Sequence, residues 1–176
     1  MLLLCIAIHV ALAFVISCQG QPNCQLGSNT YTFHQSCYKF VHEHFSWPEA
    51  ITYCATLGGE LVRIESAAEH NFLIQVANQL KANDTSFDVK EYWINLSDAL
   101  VQGEWMWMGN TRLNAPQDSP NNELATYVKW GPHQPDDHPN EDCAGLWAEG
   151  GFLYGDWPCS ALLHAICEDS LGLIED

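Results

Sequence analysis

The chain has 176 residues, of which 22 are Asp or Glu and 6 are Lys or Arg, so its formal net charge is −16. A surface this acidic repels nucleic acid and anionic membranes, which excludes both as expected partners. On charge alone, simple solubility in an extracellular fluid and cation binding stay open as alternatives.

The first 17 residues are almost entirely apolar and contain no Lys or Arg. This stretch is too short for a membrane-spanning helix and is typical of a secretory signal peptide. We expect cleavage after Gly20, with Ala13 and Ser17 as competing sites. Residues 1–20 are then the signal peptide, residues 21–176 form one domain, and the protein is secreted to the extracellular space.

Cys5 and Cys18 are the two of the eight cysteines that fall within this leader. The six that follow it are Cys24, Cys37, Cys54, Cys143, Cys159 and Cys167. An even number in an exported chain predicts three disulfides, and six cysteines allow 15 connectivities. No pair has the two-residue spacing of a zinc knuckle, so a zinc site is disfavoured. Cleavage before Cys18 would leave a seventh thiol for an interchain bridge.

The first element of the mature chain is predicted to be a short, half-buried hairpin, because aromatic residues alternate with polar ones there. These aromatic residues are Tyr31, Phe33, Tyr38 and Phe40. A helix should follow Ser46, which forms a capping box with Glu49 and has Pro48 in its first turn. The pair of glycines at Gly58 should end it.

A second capping box, from Ser66 to Glu69, predicts a helix that runs to about Lys81. Its apolar face is formed by Phe72, Leu73, Val76, Ala77 and Leu80. The polar segment after this helix contains the sequon that begins at Asn83, where we expect N-glycosylation. A second sequon begins at Asn95 within an apolar run, and we expect it to be buried.

From Tyr92 onward, short apolar and aromatic clusters alternate with stretches of Gly, Pro, Asn and Asp. This pattern predicts several short strands joined by long loops, of which residues 110–123 form the longest. The predicted fold class is therefore α+β, with two helices flanking small antiparallel sheets.

A run of nine residues, 134–142, carries four carboxylates, and Asp156 adds a fifth close to Cys159. If Cys143 pairs with Cys159, both loops lie at the same end of the domain. Hard oxygen ligands gathered on loops suit Ca²⁺, which takes about 6 to 8 oxygens. A solvated acidic loop without a cation is the alternative.

Motifs in a fixed order over almost the whole mature chain resemble the long form of the C-type lectin-like domain. Besides the two helices and six cysteines, they are Trp93-Ile94-Asn95-Leu96, Trp105-Met106-Trp107, Gln134-Pro135-Asp136, Glu141-Asp142-Cys143 and Tyr154-Gly155-Asp156 before Pro158-Cys159. The resemblance implies that the disulfides are Cys24–Cys37, Cys54–Cys167 and Cys143–Cys159. It also implies a sugar-binding module that is not an enzyme.

The same resemblance implies that calcium and sugar are held by one set of side chains. The matching residues are Gln134, Asp136, Glu141 and Asp156, and Asp156 would contribute its backbone carbonyl as well as its side chain. The family has an Asn as a further ligand where this chain has Gly155, which offers no side-chain oxygen. Five protein oxygens and about two from sugar or water still make roughly seven, so we expect calcium to bind and sugar to be held more weakly. In the family the bond before Pro135 is cis, which turns Gln134 and Asp136 toward one ion.

A Gln-Pro-Asp triplet in this family implies a preference for galactose-type sugars. Trp157 is a candidate aromatic platform for the sugar, although a packing role is favoured. An accessory calcium site would match Asp98, Gln102, Asp137 and Asp142. His133 and His138 flank the triplet, where they could tune binding at endosomal pH or bind a softer metal, or simply be exposed.

The resemblance further implies recognition of cell-surface or microbial glycans in innate immunity, and a homo-oligomer would supply avidity. One alternative is a module that has lost sugar recognition and binds protein or mineral surfaces, as the acidic charge and Gly155 favour. The other is a glycosidase that uses Glu141 and Asp156 as its acid and base. Carboxylates that bind calcium are poor proton donors, so the enzyme is disfavoured.

Overall fold

The computed structural model describes residues 5–10, 13–18, 24–83, 91–109, 122–136 and 138–171, with only the backbone described for the first two ranges. Strands β1 (Cys5–Val10) and β2 (Ala13–Cys18) pair antiparallel in a sheet of their own. They lie in the predicted signal peptide, whose removal stays a prediction. Among the described residues, no helix has the length and apolar character needed to cross a membrane.

The remaining strands form one sheet of nine. They are β3 (Tyr31–Phe33), β4 (Ser36–Phe45), β5 (Glu60–Leu61), β6 (Glu91–Ser97), β7 (Met106–Trp107), β8 (Glu123–Leu124), β9 (Cys143–Trp147), β10 (Leu153–Trp157) and β11 (Leu163–Ser170). The order is β10-β9-β6-β11-β4-β3, with β5 on β11, β7 on β6 and β8 on β7. The α+β class is confirmed. The strands join in one mixed sheet rather than several antiparallel ones, because β11 inserts between β4 and β6 and runs parallel to β6.

Helix α1 (Trp47–Thr56) begins and ends where the sequence predicts. Ser46 and Glu49 form the capping box, with the Ser46 amide donating to the Glu49 carboxylate at 2.9 Å. Pro48 lies in the first turn, where no intrahelical amide bond is lost. After the C-cap residue Leu57, Gly58 has a φ of +87°, a left-handed conformation that glycine adopts without strain.

Helix α2 (Ala67–Asn83) runs two residues past the predicted end, and its capping box is only half formed. The Ser66 hydroxyl accepts from the Glu69 amide at 3.2 Å. The Glu69 carboxylate instead accepts from the Tyr38 hydroxyl at 2.8 Å and the Glu65 amide at 2.9 Å. Tertiary contact with β4 therefore outweighs the local pattern. Glycosylation of Asn83 stays a prediction, because residues 84–90 lie outside the described residues.

The sheet separates two hydrophobic clusters, because alternate residues of β6 point to opposite faces. Tyr92 and Ile94 pack on the side of α2, whereas the fully buried Trp93 packs on the side of α1. The second cluster contains the Cys54–Cys167 disulfide, which closes 113 residues of chain. Asn95 is buried, as predicted for the second sequon, and its amide donates to the Met108 carbonyl at 3.0 Å.

The two ends of the main domain lie side by side on the β4–β11 pair. The Gln25 amide donates to the Asp169 carboxylate at 2.9 Å, and the Leu171 amide donates to the Gln35 carbonyl at 2.6 Å. The described residues contain the three disulfides that the resemblance implies, Cys24–Cys37, Cys54–Cys167 and Cys143–Cys159.

Candidate metal and ligand site

The loop that carries the Gln-Pro-Asp triplet is fixed along β10 by backbone hydrogen bonds. Trp130 and Tyr154 form a parallel β-bridge, and the Gly131 amide donates to the Tyr154 carbonyl at 2.7 Å. The Gln134 amide then donates to the Gly131 carbonyl at 3.1 Å. The triplet therefore follows directly from a strand-like segment that is paired with the strand carrying Asp156.

The peptide bond between Gln134 and Pro135 is cis, as the resemblance implies. Gln134 Oε1 accepts a hydrogen bond from the Asp156 amide at 3.1 Å. In the other direction, the Asp136 amide donates to Asp156 Oδ1 at 3.3 Å. These two reciprocal contacts hold both ends of the triplet against β10.

Three carboxylates meet at this point. Oxygens of Asp136, Glu141 and Asp156 all lie within 4.8 Å of one another. Calcium binds oxygens at about 2.3 to 2.6 Å, so ligands on opposite sides of an ion are about 4.6 to 5.2 Å apart. The spacing and the donor chemistry both fit a calcium ion. Asp156 is the deeply placed ligand, with 4% of its surface exposed, whereas Asp136 is exposed.

The negative charges of the three carboxylates in this cluster repel one another. Loss of solvent raises the pKa of Glu141, and the hydrogen bond with Asp136 and the negative charges of Asp136 and Asp156 raise it further. His138, whose Nε2 lies 3.6 Å from Asp136 Oδ2, acts in the opposite direction. The His138 and His133 side chains are exposed. A divalent cation would relieve the repulsion among the carboxylates.

Behind the cluster, a buried histidine joins the loop to the turn that leads into β10. His70 of α2 has no exposed surface. Its Nδ1 is 3.0 Å from the Tyr127 hydroxyl and its Nε2 is 2.8 Å from the Phe152 carbonyl. Burial lowers the pKa of His70, which favours the neutral imidazole. The sequence gives no local signal for this contact, because its partners are 57 and 82 residues away.

The Cys143–Cys159 disulfide joins the start of β9 to the residues after β10, with a Cα–Cα distance of 5.1 Å. Glu141 and Asp156 are thereby brought to one end of the domain. Trp157 is half-buried and packs edge-to-face on Trp93, with ring centroids 6.3 Å apart. This contact is the packing role that the sequence favours.

The accessory set is arranged differently. The Gln102 amide donates to Asp98 Oδ2 at 3.0 Å, and the Gly103 amide donates to the same oxygen at 2.8 Å. Asp142 meets this region through its carbonyl, which accepts from the Ser97 hydroxyl at 2.6 Å and the Asp98 amide at 3.2 Å. Asp137 lies outside the described residues. A second calcium ion stays a prediction.

Comparison with known proteins assigns a family to this geometry. The model of the Lectin C-type domain matches residues 43–169. Perlucin of Haliotis laevigata is 33% identical over 150 residues, which cover 82% of each chain. The human C-type lectin domain family 10 member A is 35% identical over 147 residues, covering 79% of this chain and 39% of that one. The mouse scavenger receptor C-type lectin carbohydrate-recognition domain superposes with a TM-score of 0.64 at 26% identity, covering 84% of this chain and 98% of that domain.

Proposed function

The chain belongs to the C-type lectin domain family, whose domains are non-enzymatic binding modules, and from this premise we propose that it is a secreted, calcium-dependent lectin for galactose-type glycans. The observation that carries the proposal is the convergence of Asp136, Glu141 and Asp156 within 4.8 Å. We further propose that it acts outside the cell on cell-surface or microbial glycans, as a homo-oligomer when avidity is needed.

Four side chains would hold the cation, namely Gln134, Asp136, Glu141 and Asp156. A bound Ca²⁺ supplies open coordination positions that accept lone pairs from two neighbouring sugar hydroxyls. The carboxylates of this chain accept hydrogen bonds from the same hydroxyls. Carbohydrate and cation are therefore recognised by one set of oxygens, which makes sugar binding depend on calcium.

The galactose preference rests on the order of the polar groups in the triplet. Gln134 offers an amide and Asp136 a carboxylate. Hydrogen bonds join the Gln134 side-chain oxygen to the Asp156 amide and the Asp136 backbone amide to the Asp156 carboxylate. Exchanging the amide and the acid, with Gln134→Glu and Asp136→Asn, keeps the charge and size of the site. The exchange moves the hydrogen-bond-donating amide from position 134 to position 136 and the accepting carboxylate from position 136 to position 134.

Isothermal calorimetry of the mature protein with galactose and with mannose, each in calcium and in chelator, tests the proposal. We expect heat with galactose in calcium only, and a reversed preference in the Gln134→Glu/Asp136→Asn variant. If calcium binds and neither sugar does, the carbohydrate proposal fails. If calcium itself does not bind, the metal site fails as well.

A second candidate function is binding to a protein or mineral surface without sugar. The net charge of −16 and the absence of a side-chain ligand at Gly155 favour it. It predicts calcium-dependent adsorption to a basic or mineral surface. Galactose at about 50 mM, which exceeds the roughly millimolar Kd of weak single-site sugar binding, should not displace the protein. Competition by galactose would reject this candidate.

A further inference from the structure

Gly155 occupies the position at which the family has a further calcium ligand. The backbone conformation at this position does not explain why a glycine is present. Its φ is outside the left-handed region, so a residue with a side chain meets no backbone strain there. The obstacle is space. A Cβ built at position 155 would lie 2.7 Å from Cη2 of Trp157, closer than Cβ atoms approach other atoms in folded proteins, and 3.1 Å from Cζ3.

The neighbouring strand β9 also places a glycine against the Trp157 ring. Gly155 of β10 lies directly opposite Gly145 of β9. A Cβ at Gly145 would come within 3.2 Å of Trp157 Cζ3 and 2.7 Å of the Tyr92 carbonyl oxygen. The indole of Trp157 therefore lies over a floor of two buried glycines, one on each strand.

Trp93 of β6 lies opposite Gly145 in the sheet, so it flanks the indole on the same face and limits its movement toward β6. The two rings pack edge-to-face at an interplanar angle of 88°. Trp93 is fully buried and its Nε1 donates to the Phe45 carbonyl at 2.7 Å. A side chain added at position 155 would have to displace the indole, and a fully buried tryptophan blocks its movement toward β6.

We propose that Trp157 determines the ligand set of the calcium site, because its indole fills the space that a coordinating side chain at position 155 would occupy. The inference rests on the proposed function and deepens it. With Trp157 in place, the cation is held by one side chain fewer, and water or the sugar takes the open position. Trp157 is thus a positioning residue that acts through Gly155 on the affinity of the neighbouring site.

A double-mutant cycle tests this coupling with Gly155→Asn, Trp157→Val and the combination of the two. In chelator, we expect Gly155→Asn to lower the melting temperature by about 5 °C when Trp157 is present and by about 1 °C in the Trp157→Val background. This readout does not require calcium. Equal losses in both backgrounds would overturn the steric exclusion even if the protein is a calcium-dependent lectin.

Calcium titration of the same four proteins tests the consequence for the site. We expect Gly155→Asn to raise calcium affinity about tenfold in the Trp157→Val background and to leave it unchanged with Trp157 present. An equal gain in both backgrounds would overturn the proposal. Should none of the four proteins bind calcium, the proposed function fails, while the melting temperatures still decide whether Trp157 excludes the side chain.

The chain supplies a matched control, a second glycine that lies against a tryptophan ring and is not a predicted calcium ligand. Gly150 lies against the ring of Trp147 in the same manner, since a Cβ there would collide with Trp147 Cε3. Gly150→Asn and Trp147→Val should show a similar coupling in melting temperature, with no gain in calcium affinity. A gain in this control cycle would mean that loosened packing, and not a new ligand, raises affinity.

Discussion

Two acidic regions lie next to each other in this domain and differ in the hydrogen-bond donors that surround their carboxylates. In one of them, oxygens of Asp136, Glu141 and Asp156 lie within 4.8 Å of one another, and the pKa of Glu141 is raised. In the neighbouring region, Asp98 receives hydrogen bonds from the Gln102 side chain and the Gly103 amide on one oxygen. The first region concentrates charge, whereas the second supplies internal donors to it.

The second region differs from the first in having a side-chain amide, that of Gln102, as a hydrogen-bond donor. The Gln102 amide donates a hydrogen bond to the Asp98 carboxylate, which partly offsets its negative charge as a bound cation would. A carboxylate at that position would instead add to the negative charge and favour a cation. Counting acidic residues therefore does not identify a cation site; the donors around each carboxylate must be counted too.

The largest effect is expected from Asp156→Asn, which removes charge from the buried member of the cluster but keeps an oxygen for the Asp136 amide. Calcium affinity should fall by about a hundredfold, because affinity follows the number of charged ligands. Calcium titration by calorimetry measures it. Glu149→Gln is the control, since Glu149 is exposed and belongs to neither set of predicted calcium ligands. A comparable loss in that variant would contradict the comparison.

A smaller effect should follow Gln102→Glu, which replaces the donor to Asp98 with a like charge. In chelator, the free energy of unfolding should fall by about 1 to 2 kcal/mol, through a lost hydrogen bond and added repulsion. Calcium should restore it, and a second binding event should appear in the titration. Thermal unfolding with and without calcium checks both. A variant that is as stable in chelator as the parent would show that Gln102 does not neutralise this region.

The smallest effect concerns a third acidic group, Glu168, whose surroundings favour the protonated and therefore neutral carboxyl. Glu168 lines a cavity of about 620 Å³ together with Glu69 and Tyr38. Burial first, and then the charge of Glu69, raise the pKa of Glu168 from 4.5 to about 7. A carboxyl with a raised native pKa stabilises the fold fully below pH 4.5, and this contribution is lost as pH rises through about 7.

Glu168→Gln should therefore raise the free energy of unfolding by about 1 kcal/mol at pH 8 and change it little at pH 5. Thermal unfolding at both pH values measures the difference. The exposed residue Glu149 offers a control, Glu149→Gln, which should leave it unchanged. If Glu168→Gln destabilises the protein at pH 8, the Glu168 carboxylate is instead stabilised by its hydrogen bond from the Arg63 amide.

Local patterns predict the parts of this fold that depend on a few consecutive residues. The start of α1 at Ser46 and its end before Gly58 follow from capping and from a left-handed glycine, and both need only neighbours in sequence. The resemblance added the cis bond at Pro135 and the disulfide pairings, which no local pattern contains.

Contacts between distant residues account for what the sequence could not predict. Glu69 accepts a hydrogen bond from the hydroxyl of Tyr38, 31 residues away, which its capping-box pattern does not predict. The role of Gly155 depends on Trp157 on the same face of β10 and on Gly145 of the neighbouring strand β9. A single sequence does not show that these three residues meet. The insertion of β11 between β4 and β6 is likewise a property of the assembled sheet.

The adjacent ends of the main domain have a consequence for how it can be used in larger proteins. Because Gln25 bonds to Asp169 and Leu171 bonds to Gln35, the chain enters and leaves the fold at neighbouring points. Such a unit can be inserted into a loop of another protein, or repeated in tandem with short linkers, without stretching its own backbone. The β4–β11 pair thus allows the domain to be joined to other domains at either end.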